Sequence, residues 1–198
     1  MDRRKRKSRQ AMLEACLTLS KEKDMQQITI NDIVHTADLN RGTFYLHFTD
    51  KAHMLKSFEQ EMLEKIEQVL LANVTNMHDI DAFIESRYNT AIQIIRCYED
   101  NKQLLQFVLT LGNSASFQAA LNEQIKHIFT QFFIPKLNID DLAVPIDLII
   151  MIITSLSFSI AQFAYQSEEP IDVEAYGQFV IQLLSQGPLK ALGYVAEV

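Results

Sequence analysis

The sequence predicts an all-α protein: an N-terminal three-helix, helix-turn-helix head, then a helical-bundle body. Three observations predict the helical class. Apolar residues recur three and four apart almost throughout the 198 residues, and alternating, strand-like runs are few. Five Gly and four Pro are too few for many turns. The breakers and capping residues that do occur fall at helix-length intervals. A hydrophobic share of 48% fits an ordinary globular chain with its own core.

The elements follow in order. Residues 8–23, SRQAMLEACLTLSKEK, set Met12, Ala15, Cys16 and Leu19 on one face of a first helix. The preceding run, MDRRKRKSRQ, is a basic tail over residues 1–10 with no apolar stretch behind it, unlike a secretory signal. Thr29 can cap a second helix with Asp32 three residues on, and Ile30, Ile33, Val34 and Ala37 form its buried stripe. Asp38 then occupies the turn position where such motifs usually carry glycine; Asp tolerates the left-handed conformation better than most residues. Asn40 can cap a third short helix running to about Leu46.

A long amphipathic helix runs from Lys51 to about Asn73, and residues 73–79 read as a linker. Body helices follow near 80–99, 101–111, 114–134, 143–167 and 173–186. Gly112-Asn113, Pro135, Pro170 and Gly187-Pro188 punctuate them. The expected domains are therefore 1–51 and 52–198.

Charge is unevenly divided. Residues 1–51 hold ten Lys/Arg and seven Asp/Glu (+3), and residues 52–198 hold eight and eighteen (−10), giving −7 in all. A basic head on an acidic body is the footprint of a nucleic-acid reader. For residues 1–10 alone, a solvated tail that only aids solubility fits equally. Cys16 and Cys97 match no metal or redox spacing and fit a reduced, cytoplasmic protein, with a thiol sensor as the alternative. Residues 148–167 are uncharged over a length that could span a membrane, about 20 residues. Their Ser, Thr and Gln content and the acidic flanks Asp147, Glu168 and Glu169 favour a helix buried in a bundle or dimer. No glycine-rich phosphate loop, H-E-x-x-H or C-x-x-C occurs, and the five histidines lack metal-ligand spacing. No enzyme, cofactor or metal site is expected.

The segment ITINDIVHTADLNRGTFYLHFTDKAHML (28–55) resembles the DNA-binding head of the TetR family of bacterial transcriptional regulators. The pattern matches at Thr29, Ile30, Ile33, Val34, Ala37, Gly42, Thr43, Phe44, Tyr45, His47, Phe48, Lys51 and Leu55. On the third helix, Phe44 and Phe48 lie four apart and point inward, leaving Arg41, Thr43, Tyr45 and His47 in front. Arg41, with no evident local partner, can donate twice to guanine, and Thr43 can reach a base edge. Gly42 allows close backbone approach. Tyr45, His47, Lys51 and Thr29 suit phosphate oxygens. With the capping Asn40 these positions make the expected DNA-contacting set, and the resemblance implies the same roles.

The resemblance also implies a body that binds a small molecule and pairs two subunits. Phe58, Met62, Tyr88, Ile92, Arg96, Phe107, Phe129, Phe158 and Gln162 are the expected effector-lining residues; a stripe of this kind at helical spacing is also what plain core looks like. Ser155, Ser159, Phe179 and Leu183 are the expected dimer contacts, on helices 143–167 and 173–186. The expected function is a ligand-responsive repressor: a homodimer, off the membrane, on a palindromic double-stranded operator. The alternative is a co-activator or interaction module whose body binds a protein.

Overall fold

The computed structural model describes residues 3–74, 80–133 and 144–186. Among them nine α-helices occur and no strand: α1 Arg3–Leu19, α2 Ile30–Thr36, α3 Arg41–Tyr45, α4 Lys51–Val74, α5 Ile80–Asp100, α6 Lys102–Thr110, α7 Ser114–Ile128, α8 Ile146–Gln166 and α9 Val173–Gln186. A π-helical turn, Phe129–Phe133, follows α7. The all-α class and the order of elements are as the sequence predicts. Residues 75–79 of the expected linker, Pro135 and the Gly187-Pro188 stop lie outside the described residues.

The first helix departs from expectation at both ends. It begins at Arg3, so most of the basic tail is helical. Arg, Lys and Gln are good helix formers, and nothing in RRKRKSRQ interrupts them. It stops at Leu19, four residues early, where the chain passes into turns bonded to Thr18 and Leu19 carbonyls. Asp38 takes the left-handed conformation, with φ of 52°, as its place in the turn required.

The chain forms two compact units. Unit 1 comprises Met1–Leu63 and Lys102–Ala119, and unit 2 comprises Glu64–Asn101 and Ala120–Val198. A boundary after residue 51 thus falls at the first turn of α4, whose residues through Leu63 belong to unit 1. Unit 1 is built on Met12, Leu13, Cys16, Ile33, Phe44, Phe48, Phe58 and Phe107, all buried. Its rings touch in series: Phe44 and Phe48 at 5.5 Å, Phe48 and Phe58 at 5.6 Å, Phe58 and Phe107 at 4.9 Å. Such edge and tilted pairs stabilise by about 1 kcal/mol each beyond their burial. α6 packs on α1 within this unit.

Unit 2 packs α5 against α8 and α9. Gly177 of α9 sits where a Cβ would lie 2.5 Å from Ile92 Cγ1 of α5, so glycine permits that close approach. Tyr98 is fully buried, and its hydroxyl shares a 2.6 Å hydrogen bond with Ser157 of α8. Thr154 of α8 donates to Asn122 of α7 or to its own Ile150 carbonyl. α8 is long and apolar enough to cross a membrane by length and composition, and only 22% of its most apolar window is buried.

Candidate nucleic-acid interface

α3 is fixed at its start by a side-chain cap and at its end by the backbone bonds of Leu46 N to Gly42 O and Phe44 O. Asn40 Oδ1 accepts from Thr43 N at 2.8 Å and from Thr43 Oγ1 at 3.0 Å. A Cβ on Gly42 would come to 3.3 Å from that same Asn40 oxygen, so glycine leaves the cap room. Behind the helix Phe44 and Phe48 are buried, and in front Arg41, Gly42, Tyr45 and Leu46 are exposed, with Thr43 and His47 half-buried. The inward and outward sides therefore fall as the sequence predicts.

Individual residues refine the expectation. Arg41 does have a local partner: its Nη2 donates to Tyr45 Oη at 3.1 Å, with the guanidinium 5.6 Å from the ring centre. Both groups are exposed, so this contact is weak, under about 1 kcal/mol, and is readily exchanged for a stronger acceptor. His47 Nε2 lies 2.7 Å from Ser8 Oγ, tying α3 to α1. Burial, then the nearby cations Arg9 and Lys5, hold its imidazole below the ordinary histidine value. Thr29 makes the capping box of α2: its Oγ1 accepts from Asp32 N, and Asp32 Oδ2 accepts from Thr29 N. Those bonds hold the Asp32 carboxyl below the usual carboxylate range.

Lys51 has partners the expectation did not include. Its ammonium donates to the carbonyls of Met25 at 2.7 Å, Gln26 at 3.2 Å and Ile28 at 2.7 Å. All three donors are engaged with the loop between α1 and α2, so the residue closes that loop. Sequence spacing could not show this, because the carbonyls lie more than twenty residues away.

Two residues went unsingled by sequence reasoning. Arg9 lies between the rings of Phe48 and Phe58, 5.0 Å and 4.8 Å from their centres. Its Nη2 also donates to Glu61 Oε2 at 2.8 Å, and its side chain is only 14% exposed. One cation thus joins α1, the turn after α3 and α4. The second is Leu46, 78% exposed at the end of α3. Burial pushes the Cys16 thiol up to about 12 and raises that of Cys97, which works against a redox role for either.

The expected effector set divides between the units. Phe58, Met62 and Phe107 are buried core of unit 1. Tyr88, Ile92, Arg96, Phe129, Phe158 and Gln162 belong to unit 2, where Ile92 is buried, Arg96 and Gln162 are exposed, and the rest are half-buried. Arg96 donates to Glu174 Oε1 at 3.2 Å. Of the expected dimer contacts, Ser155, Ser159 and Phe179 are exposed and Leu183 is half-buried, with Leu184 beside it more open.

Comparison with known proteins places this geometry. Residues 12–58 match the family of bacterial regulatory proteins of the tetR type. An uncharacterized HTH-type transcriptional regulator, YxbF of Bacillus subtilis (strain 168), is 33% identical over 64 residues, or 32% of this chain. That stretch spans 17% of the length of YxbF. A Clostridium perfringens protein described as a candidate fatty acid metabolism regulator shares the fold at a TM-score of 0.67 and 16% identity, over 90% of this chain and 98% of its own. The fatty acid degradation regulator FadR of Bacillus halodurans gives 0.62 and 17%, over 91% and 95%. A TetR family transcription regulator from Marinobacter aquaeolei VT8 gives 0.62 and 18%, over 92% and 97%. Identities this low speak for the fold alone; the assignment rests on the head, whose residues 12–58 match the tetR family of bacterial regulatory proteins.

Proposed function

We propose that this regulator is a dimeric repressor that grips double-stranded DNA through α3 and releases it when a small, largely apolar effector enters the body. The observation that carries the reading is the division of α3 into a buried aromatic back and an exposed donor-bearing front. Arg41 and Thr43 would address base edges. Tyr45 and His47, with the exposed cations that begin α1, would address phosphates. Lys51 has no part in this reading.

A second copy supports two-headed binding. On α8 the exposed positions Leu148, Met151, Ile152, Ser155, Ser159 and Phe163 fall on one stripe at helical spacing, and Phe179 and Leu184 are exposed on α9. An uncharged stripe of this size in an acidic body is suited to its own copy, which carries the same stripe across a twofold axis. Two heads would then meet half-sites about 34 Å apart, or a multiple of that, on a palindromic operator. The effector shifts the balance only by its different affinity for the gripping and released arrangements.

The test is a fluorescence-anisotropy titration with a duplex from the region upstream of the protein's own gene, beside a shuffled duplex of equal composition. Preference by about a thousandfold is expected of a specific regulator. Absence of binding to either duplex at low salt would turn the reading toward a protein partner.

A further inference from the structure

We propose that Leu46 is a base-reading residue: its side chain meets the C5-methyl group of a thymine at the centre of the face that α3 turns outward. The inference rests on the DNA-binding reading of α3 and names what one position on that helix recognises. The helical turn continues past Tyr45, because Leu46 N bonds to Gly42 O at 3.1 Å and Phe48 N to Phe44 O at 2.9 Å. At about 100° per residue, Phe44 and Phe48 point inward about 40° apart, and the direction opposite their mean is that of Leu46. Gly42 and Thr43 flank it at about 40° and 60°, while Arg41, Tyr45 and His47 lie further round, at about 100° to 140°.

The accessibility agrees with that wheel. Leu46 is 78% exposed and Tyr45 47%, and among the described residues of unit 1 these are the exposed large apolar side chains. A leucine held in water at the centre of a face gains by covering apolar surface there. Among base edges in the major groove, only thymine offers a methyl group; guanine, adenine and cytosine present polar atoms that a leucine would strip of water without replacing the bonds. The neighbourhood fits nucleic acid over an apolar protein patch. Arg41 is exposed on the same helix, and α1, which begins with exposed Arg3, Arg4, Lys5, Arg6 and Lys7, is tied to α3 through Ser8 and His47. Gly42, next to Leu46, places no side chain in the way.

The experiment uses a duplex selected by the full-length protein from a random-sequence pool. It is remade with deoxyuridine replacing one thymine at a time, which removes only the methyl group. At one symmetry-related position per half-site, wild-type protein should bind the uracil duplex about fourfold more weakly, the worth of one buried methyl. Leu46→Ala should lose affinity for the thymine duplex and be indifferent to uracil at that position, so that the two losses do not add. Arg41→Ala, weaker overall, should keep its sensitivity to the uracil change. Thermal unfolding of Leu46→Ala should match wild type, since the side chain packs on little. The proposal is overturned if wild type ignores uracil everywhere, or if Leu46→Ala remains as sensitive as wild type at every position. If selection yields no preferred sequence, the DNA reading of α3 itself falls, and this proposal with it.

Discussion

The two units of this chain handle polar chemistry in different ways. In unit 1, polar side chains fasten one segment to another: Lys51 gathers three loop carbonyls, Arg9 joins two rings and Glu61, and Ser8 meets His47. In unit 2 the ion pairs Arg96–Glu174 and Lys126–Asp147 lie on the surface, where such pairs add little. Its interior is joined by hydroxyls and amides such as Tyr98–Ser157 and Asn73–Gln93. Unit 2 also leaves Leu148, Met151, Ile152, Phe163, Phe179 and Leu184 exposed, whereas the exposed large apolars of unit 1 are confined to α3 among the described residues. The lesson is a division of labour. The head is cross-braced by its polar side chains, and the body leaves an apolar stripe open; on the proposed function the first serves reading and the second pairing.

The comparison breaks first, and most strongly, at Lys51. Lys51→Met removes three charge-assisted bonds to carbonyls, at about 1.5 kcal/mol or more for the strongest of them. A loss of about 3 kcal/mol in urea unfolding is expected, with the salt dependence of DNA binding in the folded protein unchanged. A lower salt slope with undiminished stability would return Lys51 to the phosphate contacts.

Gly177→Ala tests the body by the opposite means, since no polar group is involved. Its new methyl meets Ile92, so overpacking of about 1–3 kcal/mol is expected in thermal unfolding. In an Ile92→Ala background, which lacks the clashing Cγ1, the same change should cost less. Thr29→Ala removes one side of the α2 capping box and should cost about 1 kcal/mol.

The smallest effect is the dependence of head stability on pH. His47 has its folded value lowered, so the unfolded chain takes up its proton first as pH falls. Stability from this residue is complete above the ordinary histidine value near 6.5 and declines below it, until the folded value is passed. His47→Gln should flatten that decline in stability measured between pH 7 and pH 5. An added phosphate favours the protonated form, so DNA binding should take up protons in the same range.

Much of the fold was legible because it is written locally. Thr29 with Asp32, Asn40 before Thr43, and the i, i+4 pair Phe44 and Phe48 all act within one helical turn, and each stands where spacing put it. Asp38 shows that residue chemistry can foretell even an unusual backbone angle. The site was less legible where partners are distant in sequence. Lys51 reaches carbonyls more than twenty residues back, and Arg9 packs on rings about forty and fifty residues ahead. Leu46 is a different case: helical periodicity places it outward, but an apolar side chain carries no donor to mark it for DNA. The body's expected lining residues divided between two units because an apolar periodicity marks burial without saying in which core.

The most direct measurement is anisotropy of wild-type protein and Arg41→Ala on a selected duplex and on its shuffled copy, across a series of salt concentrations. The account predicts that Arg41→Ala loses about 1–3 kcal/mol on the selected duplex and relaxes preference at one base pair, while binding to the shuffled copy changes little. Equal affinity and equal base preference for the two proteins would contradict the placement of α3 as the reading helix.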